Sequence, residues 1–223
     1  PDGKWLSYIS DQSGREEIYV VPVDGSAPAQ QLTNIDALKL SYNWSPDSRD
    51  IAFTASDSKL RKLTVATKQV AELDASKYGN FGLPVWSPDS KWIAYSKADI
   101  SRNSDIYLIA ASGEDKEPHK VTFDSSSEGN PRFSPDGRKL YFQRNEPTGG
   151  NTPSIQIYSV WLERLEKDPD DPEERESEPQ QPGAPSEGAE GATPPPARRP
   201  PANRPPREIK VDWAGMKHRT RQI

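Results

Sequence analysis

Very few side chains in this 223-residue sequence are equipped for chemistry: it has two histidines, His119 and His218, and no cysteine. Acyl transfer needs a nucleophile beside a base, a group that orients the base, and donors facing the oxyanion. Neither Gly-x-Ser-x-Gly nor His-Glu-x-x-His occurs. Both histidines read as strand-borne, His119 before Lys120-Val121-Thr122 and His218 before Arg219, so each is assigned a surface or structural role. Without cysteine there is no disulfide, thiolate metal site or cysteine nucleophile, and two histidines are too few for a histidine-built zinc site. The acidic run Asp168, Asp170, Asp171, Glu173 and Glu174 offers oxygen ligands of the kind calcium takes. Its spacing is not that of an EF-hand loop, and Pro169 and Pro172 without an apolar anchor make it a solvated charge run. The sequence therefore assigns no catalytic residue, no cofactor site and no metal ligand.

Composition removes further classes. With 29 basic and 34 acidic residues the net charge is -5, the wrong sign for a phosphate backbone, so no nucleic-acid partner is expected. No apolar run of about 18 residues is present to span a bilayer as a helix. The chain opens on Pro1-Asp2-Gly3 and reads as a fragment of a longer protein.

The elements that would position any site announce themselves through a repeat. Trp44-Ser45-Pro46-Asp47-Ser48, Trp86-Ser87-Pro88-Asp89-Ser90 and Phe133-Ser134-Pro135-Asp136-Gly137 recur, with a truncated copy at Pro1-Asp2-Gly3, at proline spacings of 45, 42 and 47 residues. Proline supplies the negative φ of the second position of a type I turn, Asp suits the third, and Gly or Ser closes it where a left-handed backbone is needed. Asp47, Asp89 and Asp136 are turn residues on this reading. Trp44, Trp86 and Phe133 before them are expected to pack between neighbouring units, each worth roughly 2 to 3 kcal/mol when buried.

Short strands follow each motif, at 4–9, 50–55, 91–96 and 139–144. A second set alternates at period two over 17–23, 105–111 and 155–162, and a third appears at 30–33 and 119–122. A 40- to 50-residue period with this content predicts an all-β fold, a partial β-propeller of about four four-stranded blades. Residues 1–165 carry the blades. Residues 166–207 contain 12 of the 23 prolines and no Ile, Leu, Val, Met, Phe, Trp or Tyr, which predicts a disordered insertion, acidic then basic. Its Pro179-x-x-Pro182 and Pro182-x-x-Pro185 spacings are those expected by chance at this proline density. Residues 208–223 are expected to supply the strand or strands that complete the last blade.

The repeated motif followed by Ile-Ala-Phe, Ile-Ala-Tyr or Leu-Tyr-Phe and then Asp105-Ile106-Tyr107-Leu108 resembles the TolB-like and tricorn-type propeller repeat. From Val85 to Lys167 the chain is similar to the second propeller of tricorn-like serine peptidases. In that family a polar insertion is followed by an I-x-x-D-x-x-G-x-x-x-R segment, matched here by Ile209, Asp212, Gly215 and Arg219. Trp213-Ala214 departs from the pair more usual there, an acidic or aromatic residue followed by an acidic one. The resemblance implies a propeller that guides or filters peptides towards a serine-type catalytic domain carried elsewhere, so no catalytic residue transfers to this chain. The partner implied is then a peptide substrate of the parent protein, in a cytoplasmic or alternatively periplasmic or secreted setting. Two other readings are a TolB-like module that docks proteins, and a propeller attached to an amidohydrolase or prolyl-oligopeptidase-type hydrolase.

Overall fold

The computed structural model describes residues 1–113, 115, 117–147, 154–164 and 206–223. The acidic run at 168–174, the Pro-x-x-Pro spacings and all of the expected insertion except Pro206 and Arg207 lie outside the described residues. Residues Pro1–Glu163 and Pro206–Ile223 form one compact unit.

That unit is all-β, with four antiparallel sheets in chain order. The first blade holds β1 (Trp5–Ser10), β2 (Glu17–Pro22) and β3 (Gln30–Gln31). The second holds β4 (Lys39–Trp44), β5 (Asp50–Ala55), β6 (Lys59–Thr64) and β7 (Gln69–Ala75). The third is β8 (Val85–Trp86), β9 (Trp92–Ala98), β10 (Ser104–Ala110) and β11 (His119–Lys120). The fourth is β12 (Glu128–Phe133), β13 (Lys139–Glu146), β14 (Ser154–Trp161) and β15 (Thr220–Gln222). Within the last three blades strand order follows chain order, so each is a meander of four strands. The first has three because its β1 corresponds to β5, β9 and β13, the strands that follow the Ser-Pro-Asp turn.

Those turns form for the reason their residues dictate. Ser45, Ser87 and Ser134 accept the backbone N–H of Ser48, Ser90 and Gly137 at 2.9 Å each. The fourth residue is left-handed in every copy, with φ of 61° at Ser48, 60° at Ser90 and 72° at Gly137.

Side chains alternate across each strand, so both faces of an internal blade are available for packing. The core accordingly forms as three clusters, one at each blade–blade seam. Ile18, Val20 and Leu32 meet Ile51, Phe53 and Leu63 at the first. Ala52 and Leu60 meet Trp86, Ile93, Tyr95 and Ile109 at the second. At the third, Ile106, Leu108 and Val121 meet Leu140, Phe142 and Val160. The motif aromatics bridge seams as their position implies: Trp44 Nε1 donates to Ser7 Oγ at 2.8 Å, Trp86 Nε1 to the Asn43 carbonyl at 3.0 Å, and Phe133 packs on the third cluster.

Strands β4, β6, β7, β8 and β12 escape sequence reading. In β6, Lys59-Leu60-Arg61-Lys62-Leu63-Thr64 pairs with β5 without interruption, and Leu60 and Leu63 lie on opposite faces, in the second and first seam clusters, so a strand buried on both sides shows no apolar–polar alternation.

Candidate functional site

The repeated aspartates are consumed by their turns. Asp47, Asp89 and Asp136 each accept the hydroxyl of the motif serine at 2.6 Å and the N–H two residues on, from Arg49, Lys91 and Arg138. Burial would raise the Asp136 carboxyl, but the Ser134 hydroxyl and the Arg138 N–H outweigh it and hold it below the usual range. The serine hydroxyl in turn accepts the N–H that opens the next strand, at 2.9 Å from Asp50, Trp92 and Lys139.

The histidines are placed differently from one another. His119 lies in β11 as expected, stacked on Trp213 with centroids 4.1 Å apart, and its Nε2 is 2.8 Å from Asp115 Oδ2. That contact lowers the Asp115 carboxyl. His218, expected in a strand, ends a 3-10 turn over Met216–His218 instead, because the left-handed Gly215 at φ 69° starts that turn. It is exposed. Among the described residues no group of three or more His, Asp or Glu is arranged to hold a metal ion.

Buried charge collects at the seams, a feature sequence reasoning missed. Glu17 opens β2 and Lys39 opens β4, and their side chains, 1% and 0% exposed, pair at 2.6 Å. Thr33 Oγ1 and the Ile35 N–H complete the carboxylate's shell, and Lys39 also donates to the Ile35 carbonyl. Burial would raise the Glu17 carboxyl, but these donors keep it below the usual range. At the third seam the corresponding positions are both acids, Asp105 and Glu128. Their cations come from elsewhere: Lys120 lies 2.7 Å from Asp105, and Arg144 lies 2.8 Å from Glu128. Burial pushes both carboxyls above their ordinary values despite these partners, and Asp105 Oδ1 has no hydrogen-bond partner among the described residues. The pairing Glu17 with Lys39 against Asp105 with Lys120 is the signal that a search of residues flanking the Ile-Tyr strands had available.

The first strands of the complete blades offer the surface best placed to meet a ligand. Among the described residues, nothing pairs with the outer side of β4, β8 or β12, which leaves a row of backbone N–H and C=O groups. Bulges interrupt β4 between Lys39 and Ser41 and β12 between Gly129 and Arg132. The β4 bulge leaves Leu40 46% exposed, near Leu38 at 56%; Leu83, just ahead of β8, is 37% exposed. In β12 the left-handed Asn130 is held by its Nδ2 to Gln143 Oε1 at 2.6 Å. The arrangement suits extended peptide backbone with apolar side chains; it contains no nucleophile–base pair.

The I-x-x-D-x-x-G-x-x-x-R residues are structural. Ile209 is buried, and its N–H donates to Asp89 Oδ2 at 2.8 Å. Asp212 N bonds the Leu162 carbonyl at 2.9 Å, and Asp212 Oδ1 accepts the Ala214 N–H. Arg219 gathers the carbonyls of Leu162, Asp212 and Ala214. Trp213, the first residue of the pair that departs from the family pattern, packs edge-on against Trp92 and face-on against His119. Among the described residues no helix is long and apolar enough to cross a membrane.

Comparison with known proteins agrees with this architecture. The family described as the TolB beta propeller domain matches residues 24–165. A TolB homolog of Chlorobium chlorochromatii is 34% identical over 143 residues, 63% of this chain and 31% of that protein. The crystal structure of the tricorn protease superposes with a TM-score of 0.66 at 13% identity, over 99% of this chain and 20% of its own. TolB from Acinetobacter baumannii superposes with a TM-score of 0.56 at 22% identity, covering 72% of this chain and 39% of its own. The chain thus spans well under half the length of each of these proteins, and the two structures speak for the fold alone. With four sheets stacked in chain order and most of their length matched by the family's own pattern, the chain belongs to the TolB β-propeller domain family.

Proposed function

We propose that this chain is the propeller portion of a tricorn-like serine peptidase, guiding or filtering oligopeptides towards a catalytic domain carried outside it. The observation that supports this reading is coverage. The likeness to the tricorn protease takes in 99% of the chain, including the segment that resumes at Pro206, whereas the likeness to TolB takes in 72%. The free edges of β4, β8 and β12, with Leu38, Leu40 and Leu83 exposed beside them, are the surface a passing peptide meets. A propeller arranges its blades around a central channel, and on this reading the first strands face it.

The experiment is cleavage of fluorogenic oligopeptides by the polypeptide that carries this chain, with and without a serine-directed phosphonate. Hydrolysis abolished by the inhibitor is expected, and Leu40→Asp should raise KM for long peptides while leaving that for a dipeptide reporter unchanged. Absence of hydrolysis in an otherwise folded protein overturns the reading. The 34% identity to a TolB homolog favours a second one, in which the propeller itself is the functional part and docks a protein partner on one face.

A further inference from the structure

The segment that resumes at Pro206 does more than end the last sheet. Its β15 pairs with β14 through Thr220, Arg221 and Gln222. Before reaching that edge it crosses the third seam and contacts both flanking blades. On the third blade, Glu208 pairs with Lys91, the Ile209 N–H bonds Asp89, and Trp213 inserts beside Trp92 and His119. On the fourth, Arg207 pairs with Glu163 at 3.0 Å, Arg219 binds the Leu162 carbonyl, and Met216 is 2% exposed within the seam cluster.

The turn motifs show what this segment replaces. The Asp2 N–H donates to Ser48 Oγ at 3.0 Å and the Asp47 N–H to Ser90 Oγ at 3.2 Å, so each turn is tied to the next by the serine at its fourth position. The fourth turn has Gly137 there and no hydroxyl to offer. The vacant volume holds Ile209: a Cβ at Gly137 would lie 2.5 Å from Ile209 Cγ1 and nearer still to Cδ1. The third-to-fourth tie is therefore made by a side chain and an N–H from a segment that joins the chain 43 residues after Leu162's neighbour Glu163, counting to Pro206.

We infer that residues 206–223 are an autonomous clasp, a docking peptide that locks the third blade to the fourth by its own contacts and stays bound when the covalent connection through 164–205 is cut. The surface it fits is the seam groove formed by Asp89, Lys91, Trp92, His119, Gly137 and the β14 edge. The occupant is defined by spacing: Ile, then Trp four residues on, Met three further and Arg three further. This inference is independent of what the propeller guides or binds.

The test inserts a site for a sequence-specific protease within 170–200 of the polypeptide that carries this chain and cuts it. The two pieces should elute together, and a labelled synthetic peptide of sequence 206–223 should exchange into the cut protein. The same peptide carrying Ile209→Ala and Trp213→Ala should bind at least about 30-fold more weakly, as expected when anchor side chains of an interface are truncated. Placing the substitutions in the peptide leaves the folded partner unaltered. Separation of the pieces on cutting, or exchange that the double substitution does not weaken, overturns the inference.

Discussion

Substituting Gly137 by alanine separates two effects that the sequence merges. Gly137 has φ 72°, and a left-handed non-glycine residue costs about 1 to 2 kcal/mol. A methyl group there also collides with buried Ile209, and overpacking of this kind costs about 1 to 3 kcal/mol. Gly137→Ala should therefore lose roughly 2 to 5 kcal/mol in all. Gly3 supplies the control: it holds the same motif position at φ 74°, but a Cβ there meets nothing within 4 Å. Gly3→Ala should cost the backbone component alone, about 1 to 2 kcal/mol. In an Ile209→Ala background the cost of Gly137→Ala should shrink by the overpacking component, a coupling of about 1 to 3 kcal/mol in the double-mutant cycle. Urea unfolding followed by tryptophan fluorescence measures all of these. If Gly137→Ala costs no more than Gly3→Ala, or costs the same in both backgrounds, Ile209 does not fill that notch and the reasoning fails.

Other consequences concern the buried charges and the insertion. Lys39→Ala strands the Glu17 carboxylate in the first seam, and breaking a buried pair in this way typically costs about 3 to 5 kcal/mol, readable as a lowered urea midpoint; a loss below 1 kcal/mol would show that water reaches the site. The two seams should respond to pH with opposite sign. Asp105 and Glu128 are raised in the folded state, so their contribution is fully present below the unfolded carboxyl range near pH 4 and is lost as pH rises through their folded values; Glu128→Gln should flatten that fall, and an unchanged profile would refute the assignment. Glu17 is lowered, so its contribution is present above the unfolded value and disappears as pH falls through the folded one; Glu17→Gln should remove that acid-side loss. Replacing Lys167 to Pro206 by a short Gly-containing turn should leave the blades folded, since closing a loop of about 42 residues instead of about five costs only about 2 kcal/mol; a collapse of the melting temperature would count against it.

The order of the blades was legible because its causes are local. Proline's φ, the Asp and Ser side chains that bond their own turn, and a fourth residue able to go left-handed define the motif wherever it recurs, and the strand after each turn carries its own alternation. The seam aromatics were legible for the same reason, standing at a fixed place beside each turn. Sequence reading failed where a residue's role is set by a neighbour distant in the chain. β6 was hidden because Leu60 and Leu63 face two different seams and leave no apolar–polar alternation, and the short β8 because two residues carry no period. The acids at Asp105 and Glu128 resemble any surface carboxylates until two blades close over them and supply Lys120 and Arg144.

Gly137 draws the line most clearly. That a left-handed residue belongs there is already written in the motif, since the turn requires one and Ser48 and Ser90 meet the same requirement with side chains. That it must be glycine follows only once the blades are assembled, because Ile209, 72 residues further on, occupies the space where a Cβ would stand. Turn conformation is a property of four consecutive residues, whereas excluded volume belongs to whatever the fold brings alongside them.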